Sequence, residues 1–520
     1  MAAAWRRSVV RLVLVLAGVT GSLVAVPSAG AAPPTPPTAG GGLTAAQRAN
    51  LLGIARDTWR FFAADVDPTT ALPLDNLGPN GTRGTYTSAA NVGVYLWSIV
   101  SAADLGLVSR ADAVRRAGAT VRTVTRMPRD HGMLFQWYDT ATAAVISNPG
   151  EPACATVGGT RDNCSFLSAV DNGWYASGLA VVRQAFPSLA PAVDRLVSDL
   201  DFGIFYDARP QTRCNVNAAL DGAPTGQQYG GYFAGSGPAD YHNGALYSDP
   251  RISMYMGMGL GQMPGDVWWR TWRTLPPKRC ASDPDNSTQG QWPAQGTWQT
   301  YADPRSGKTF PVWEGHYTYG DLRYLPTFAG GMFEGLMANL VVPETAWGRR
   351  GLGAADVLTA QVQLRYARDA LDLPVWGMSP SSTPDDTGGY GIFGVGGLRF
   401  PARNQLAICP TCATETAVTP HASFLALDVA PADAYRNIAT LQRRFPGVYD
   451  ADGGFYDAVD PRTGTVGHRR LVLDQSMIMA ALANLLTTDG GPRRWFAKDP
   501  TSAAAKLYLG VESMTLTGVR

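Results

Sequence analysis

Leu473-Asp474-Gln475-Ser476-Met477 opens a stretch that runs to Leu486 with Asp474 as its single charged residue. An apolar run of that length exceeds an ordinary strand, so it reads as a buried helix with a carboxylate at its start. Two segments repeat the arrangement, Val170-Asp171-Asn172-Gly173-Trp174 and Ser248-Asp249-Pro250-Arg251-Ile252. A fourth, Gly330-Gly331-Met332-Phe333-Glu334, places an acid within the first turn of another apolar run. If the helices that follow run parallel, the four acids meet at one end.

Working outward, the chain alternates helix-like runs with two kinds of connection. A capping box, Thr44-x-x-Gln47, opens a helix to about Phe62. Helical periodicity then covers 88–105, 109–127, 171–186, 188–202, 249–261, 265–275, 331–340, 354–373, 420–429, 432–445 and 474–486. That makes about twelve helices, joined mostly by short connections that alternate with long ones rich in Gly, Pro, Asp and aromatics. The pattern predicts an all-α fold: an (α/α)6 barrel, or six-hairpin toroid, with long rim loops and small β-hairpins. Inner helices are expected to start near Ser88, Asp171, Asp249, Gly331, Pro420 and Asp474, each after a long connection. All four acids fall on that list. The barrel is expected over 43–490, with 491–520 packed outside it.

The N-terminus bears on compartment. Arg6, Arg7 and Arg11 precede an apolar stretch from Leu12 to Val26, and Ala29-Gly30-Ala31 fits a cleavage site. Residues 1–31 therefore read as a secretory signal peptide, and the Pro/Ala/Gly-rich stretch 32–42 as a disordered leader. No other apolar run is long enough to span a bilayer, which predicts a secreted, extracellular protein without membrane insertion. Six cysteines suit an oxidising compartment. Proximity favours Cys154–Cys164 and Cys409–Cys412, leaving Cys214 to pair with Cys280. A zinc site would need a second C-x-x-C, which the chain lacks.

Net charge is +1 and only 16% of residues are charged, so nothing tracks a phosphate backbone and nucleic acid is not an expected partner. The 14 Trp and 20 Tyr supply rings that stack on the C–H faces of sugars or, alternatively, pack a core. Carboxylates clustered among aromatics are what cleavage of a glycosidic bond requires. The alternative is that each Asp merely caps a helix, worth about 1 kcal/mol. Glu334 lies past any cap, and a buried acid there needs a partner. No metalloprotease, α/β-hydrolase or nucleotide-binding context occurs, and no cofactor or metal is expected.

At these residues the chain resembles the bacterial glycoamylase-like domain family, related to the inverting β-1,2-glucan endo-hydrolases. The resemblance rests on Thr87–Leu96, Phe135–Asp139, Phe166–Trp174, Asp249–Gly257, Gly330–Met337, Trp376–Ser381, Val418–Leu425 and Leu473–Ile478, in that order. It implies an (α/α)6-barrel glycoside hydrolase with a general acid at Asp249 and a general base at Asp474. Where the family usually has Glu in a Glu-x-Arg-like setting, this chain has the shorter Asp249, which leaves Glu334 as the other candidate acid.

By this reading Asp474 is held ionised by the helix dipole, while Glu334 keeps a proton through desolvation. Arg251 should favour the charged form of Asp249. Asp171, Arg251, His316 and His421 would position sugar hydroxyls; the two His could equally be ordinary hydrogen-bonded residues. Trp137, Trp174, Trp313, Tyr317 and Trp376 would be stacking platforms. The Gly388-Gly389-Tyr390-Gly391 and Gly394-x-Gly396-Gly397 stretch reads as a loop over the cleft. The expected partner is a carbohydrate substrate, a β-linked glucan by resemblance. A non-catalytic glycan-binding protein on the same toroid, or a polysaccharide lyase, are the alternatives.

Overall fold

The computed structural model describes residues 42–210, 223–276, 295–395, 417–488 and 491–518. The expected signal peptide and nearly all of the leader, together with Cys214, Cys280, Cys409 and Cys412, lie outside the described residues.

Each expected helix is present. They are α1 (Ala45–Ala64), α2 (Ala89–Asp104), α3 (Arg110–Arg126), α4 (Ala169–Ala185), α5 (Ala190–Asp199), α6 (Arg251–Gly259) and α7 (Asp266–Arg270). Then come α8 (Met332–Leu336), α9 (Glu344–Trp347), α10 (Leu352–Arg365), α11 (Pro420–Leu425), α12 (Pro431–Arg444), α13 (Val472–Leu486), α14 (Gly491–Lys498) and α15 (Ser502–Val511). The capping box forms as expected: Gln47 N–H donates to Thr44 Oγ1, and Thr44 N–H donates to Gln47 Oε1. Short two- and three-stranded antiparallel ladders occupy the long connections, and no closed sheet occurs among the described residues.

Burial sorts the helices into two sets. α2 is buried on every side from Ala89 to Ala102, and α6, α8 and α11 are buried throughout or nearly so. By contrast α3, α5 and α12 bury a single stripe, such as Ala434, Asn437, Ile438 and Leu441 of α12. A helix apolar all round belongs inside, and one with a polar face belongs at the surface. Accordingly α2 packs on α4 and α13, α4 on α6, and α11 on α8 and α13, while α1, α3, α5 and α12 pack outside them. Helices α2 and α4 approach closely because Gly93 faces the Trp174 carbonyl and Gly178 faces Gly93; a Cβ at Gly93 would lie 2.2 Å from that oxygen.

Direction is fixed at the far end. Trp495 Nε1 donates to Asp104 at the end of α2, and Asp499 accepts from Arg183 and Gln184 at the end of α4. Thr501 abuts Gly259, the last residue of α6. Arg493 bonds the Asn339 carbonyl just after α8 and Asp428 just after α11, and its N–H donates to Asn484 near the end of α13. The C-terminal ends of six buried helices thus meet the 491–501 segment, so their N-terminal ends share the opposite end. The segments α14 and α15 pack against this far end.

Candidate active site

Asp171, Asp474 and Glu334 occupy the first turns of α4, α13 and α8, and Asp249 sits two residues before α6. None of them caps its helix. Ser168 caps α4, accepting from the Asp171 N–H, and α6, α8 and α13 have no side-chain cap at all. The capping alternative therefore falls for the three Asp.

Asp249 and Glu334 form a pair across the junction of α6 and α8. The Asp249 carboxyl donates to Glu334, whose carboxylate also accepts from the Asp249 N–H and from Ser248 Oγ. Burial pushes the Asp249 carboxyl well above the usual range, and the charge of Glu334 pushes it further. Burial also raises Glu334, partly offset by the donors around it. Asp249 is thus the member that holds the proton. Trp174 Nε1 lies 3.5 Å from Asp249 Oδ2.

Arg251 does not act as expected. It is fully buried, and its guanidinium donates to both carboxylate oxygens of Glu344 at 2.8 Å. The remaining donors hold the carbonyls of Ser248, Glu334 and Gly335. It has no donor left for a sugar hydroxyl, and its charge is matched by Glu344 rather than lent to Asp249. Sequence adjacency misled because the side chain turns inward, to a partner 93 residues away.

Asp474 stands in a second group. His421 Nδ1 lies 3.2 Å from its Oδ2, without hydrogen-bond alignment. Neither Asp474 oxygen accepts a hydrogen bond within the described residues. Burial raises its carboxyl, the His421 ring pulls it down, and Asp75 raises it. A raised value makes a stronger base once ionised. Asp457 braces the start of α13, accepting from the Leu471 N–H at 3.0 Å and from Ser382 Oγ at 2.9 Å. Asp75 accepts from Asn91 and Asn76, and its carbonyl receives the Val472 N–H that begins α13.

The aromatic expectations divide. Trp137 is half-buried and sits edge-on to Tyr86, which bonds Asp75. Trp174 is 2% exposed and wedged against Trp97, so it offers an N–H to Asp249 rather than a face to a sugar. Trp313 packs with Trp272, Leu275 and Trp298 and bonds Thr274, and Trp376 is buried with its backbone held by Asn437. Neither ring presents a platform; both went the way of core packing. Tyr317 is half-buried opposite Tyr324 on the strand Thr309–Tyr319, which also carries the buried His316, whose ring is kept below its usual value by burial. Asp171 accepts from Ser168, Gln136 and the Ala90 N–H, which ties α4 to α2, and burial raises its carboxyl. Sequence reasoning missed Asp75 and Asp457, which sit in loops far from any acid-plus-helix pattern, and Tyr390, whose glycine neighbours marked only a loop.

The comparisons agree with this architecture. A Glycoamylase family model, described as "Putative glucoamylase", matches residues 311–490, and a family described as a protein of unknown function matches 53–206. The cyclic beta-(1,2)-glucan synthase NdvB of Rhizobium meliloti is 35% identical over 134 residues; the match covers 25% of this chain and 4% of that protein. Among solved structures, a Bacteroides caccae protein of the same description as the family is 17% identical with a TM-score of 0.62, covering 90% of this chain and 100% of that one. The endo-β-1,2-glucanase of Chitinophaga pinensis is 15% identical with a TM-score of 0.62 over 91% and 99% of the two chains. The β-1,2-glucanase of Parabacteroides distasonis is 12% identical with a TM-score of 0.63 over 89% and 60%. The chain resembles the glycoamylase-like family and shares the fold of these β-1,2-glucanases.

Proposed function

We propose that this chain is an exported glycoside hydrolase that cleaves a β-linked glucan, with β-1,2-glucan first among candidates, by inversion on a single (α/α)6 barrel spanning 43–490. The observation that carries the reading is the Asp249–Glu334 pair, which keeps a proton at the same end of the helices as Asp474. Asp249 protonates the leaving glycosidic oxygen, and Glu334 holds that proton in place beforehand. Asp474, whose oxygens accept no hydrogen bond among the described residues, takes a proton from the attacking water. Inversion needs acid and base on opposite faces of the sugar, usually about 6.5–9.5 Å apart, and the two carboxyls belong to separate groups on separate helices. The relatives that bear glucanase names support glucan as the substrate class. Residues 1–31 serve as the export signal, and the Cys154–Cys164 disulfide is of the kind that persists outside the cell.

The test is reducing-end release from a panel of polysaccharides that includes β-1,2-glucan, with Asp474→Asn beside the wild type. Turnover should fall at least about 10²-fold, the scale of general acid–base groups. Thermal melting should not fall, because Asp474 caps nothing and its carboxylate is buried without a hydrogen bond. A folded variant with near-normal turnover refutes the assignment of the base. Wild-type protein that binds a glucan and cleaves none of the panel points to the glycan-binding alternative.

A further inference from the structure

Between the two acid groups stands the hairpin formed by Ser381–Ser382 and Tyr390–Gly391. Its ends are fixed to the starts of the two helices that carry those groups. On one side the Met332 N–H donates to the Met378 carbonyl, the Phe333 N–H to Ser379 Oγ, and the Val395 N–H to the Gly330 carbonyl, all at the entry to α8 and Glu334. On the other, Ser382 donates to Asp457, the residue that holds the first turn of α13 and Asp474. The tip is braced as well, since Asp386 accepts from the His468 N–H and the Gly388 carbonyl from Arg469.

Tyr390 pairs with Ser382 in this hairpin and leaves 52% of its surface exposed. The other large apolar side chains exposed among the described residues are Val157, Leu507 and Val511, so Tyr390 is the aromatic ring of that set. The anchored hairpin puts Tyr390 at the end of the helices that carries both groups, and Asp474, Glu334, Asp249 and Asp75 all act electrostatically on its phenol. Desolvation and the four acids push the phenol well above its usual value, so it stays neutral. A neutral phenol is no base, but it offers an apolar ring face and one O–H donor. A fold that buries Trp174, Trp313 and Trp376 yet leaves one ring half bare beside its carboxylates has kept that face for a ligand.

We propose that Tyr390 is a substrate-contacting residue, its exposed ring the platform on which a pyranose of the bound glucan stacks between the Asp249–Glu334 pair and Asp474. The inference rests on the glucan-hydrolase reading and deepens it. The braced hairpin fixes the platform relative to both acid groups, so the ring selects which sugar face and register bring a glycosidic bond to Asp249.

Tyr390→Ala should raise KM for β-1,2-glucan about 10-fold, corresponding to about 1.4 kcal/mol of binding, with a smaller change in kcat and an unchanged melting temperature. Tyr390→Phe, which keeps the ring, should recover most of the lost affinity relative to the alanine variant. Oligosaccharide binding by calorimetry, with sophorose as the probe, should weaken in parallel in Tyr390→Ala. An active wild type beside a folded alanine variant with unchanged KM and unchanged binding overturns the inference alone. A wild type that neither cleaves nor binds any glucan of the panel overturns the hydrolase reading and this inference with it.

Discussion

Replacing Glu334 by glutamine removes one charge from the Asp249 pair and nearly preserves its shape. Two carboxyls in hydrogen-bond contact, with charge centres about 4 Å apart at an effective dielectric of about 20, interact by about 4 kcal/mol. Asp249 is partly solvent-exposed, so screening reduces this interaction. The sign follows directly. Asp249 acts as an acid only while protonated, and loss of the negative neighbour lowers its pKa. The glutamine amide, by donating to the Asp249 carboxylate, pushes the same way. The alkaline limb of the kcat/KM profile should therefore move to lower pH in Glu334→Gln, with the melting temperature maintained. A direct reading comes from the carboxyl carbon of Asp249, followed by NMR through the same titration in wild type and variant. An alkaline limb and an Asp249 titration that both stay put, or move upward, refute the shared-proton account.

His421→Ala removes the ring that pulls the Asp474 carboxyl down, so Asp474 should titrate higher and the acidic limb should move to higher pH. An acidic limb that is unmoved or moves downward contradicts the contact. Arg251→Met leaves Glu344 charged and buried without its partner, and should cost about 3–5 kcal/mol in denaturant unfolding. Adding Glu344→Leu should restore much of that loss, because the unpaired charge is then gone. A single variant within about 1 kcal/mol of wild type would show that the ion pair does not hold α6 to α9.

The helices were legible because they carry their own boundary marks. The run after Asp474 is apolar on all faces and α12 on one, so sequence alone separated buried from peripheral elements. The four acids were legible for the same reason, each lying at the start of an apolar run. What failed depends on contacts that sequence distance hides. Arg251 next to Asp249 invited a pairing, but its true partner is Glu344. Trp174 and Trp313 have the residue type of a sugar platform, yet side-chain direction sent both rings inward. Asp75 and Asp457 lie in connecting segments, where only the folded rim shows which loop meets which helix. The long regular elements therefore emerged early, whereas two of the six acids, Asp75 and Asp457, did not.

The segment beyond residue 490 also changes what counts as one cooperative unit. Asp499 takes Arg183 and Gln184, Trp495 takes Asp104, Arg493 takes Asn339, Asp428 and Asn484, and Thr501 abuts Gly259, so this segment reads the register of six helices together. A chain cut at 490 would keep every acid and lose the clasp that holds the opposite ends at common height. Helices free to slide there would carry their first turns with them, and the spacing between Asp249 and Asp474 would vary from molecule to molecule. Precision at the mouth is thus set in part from the floor, by residues that come nowhere near a substrate.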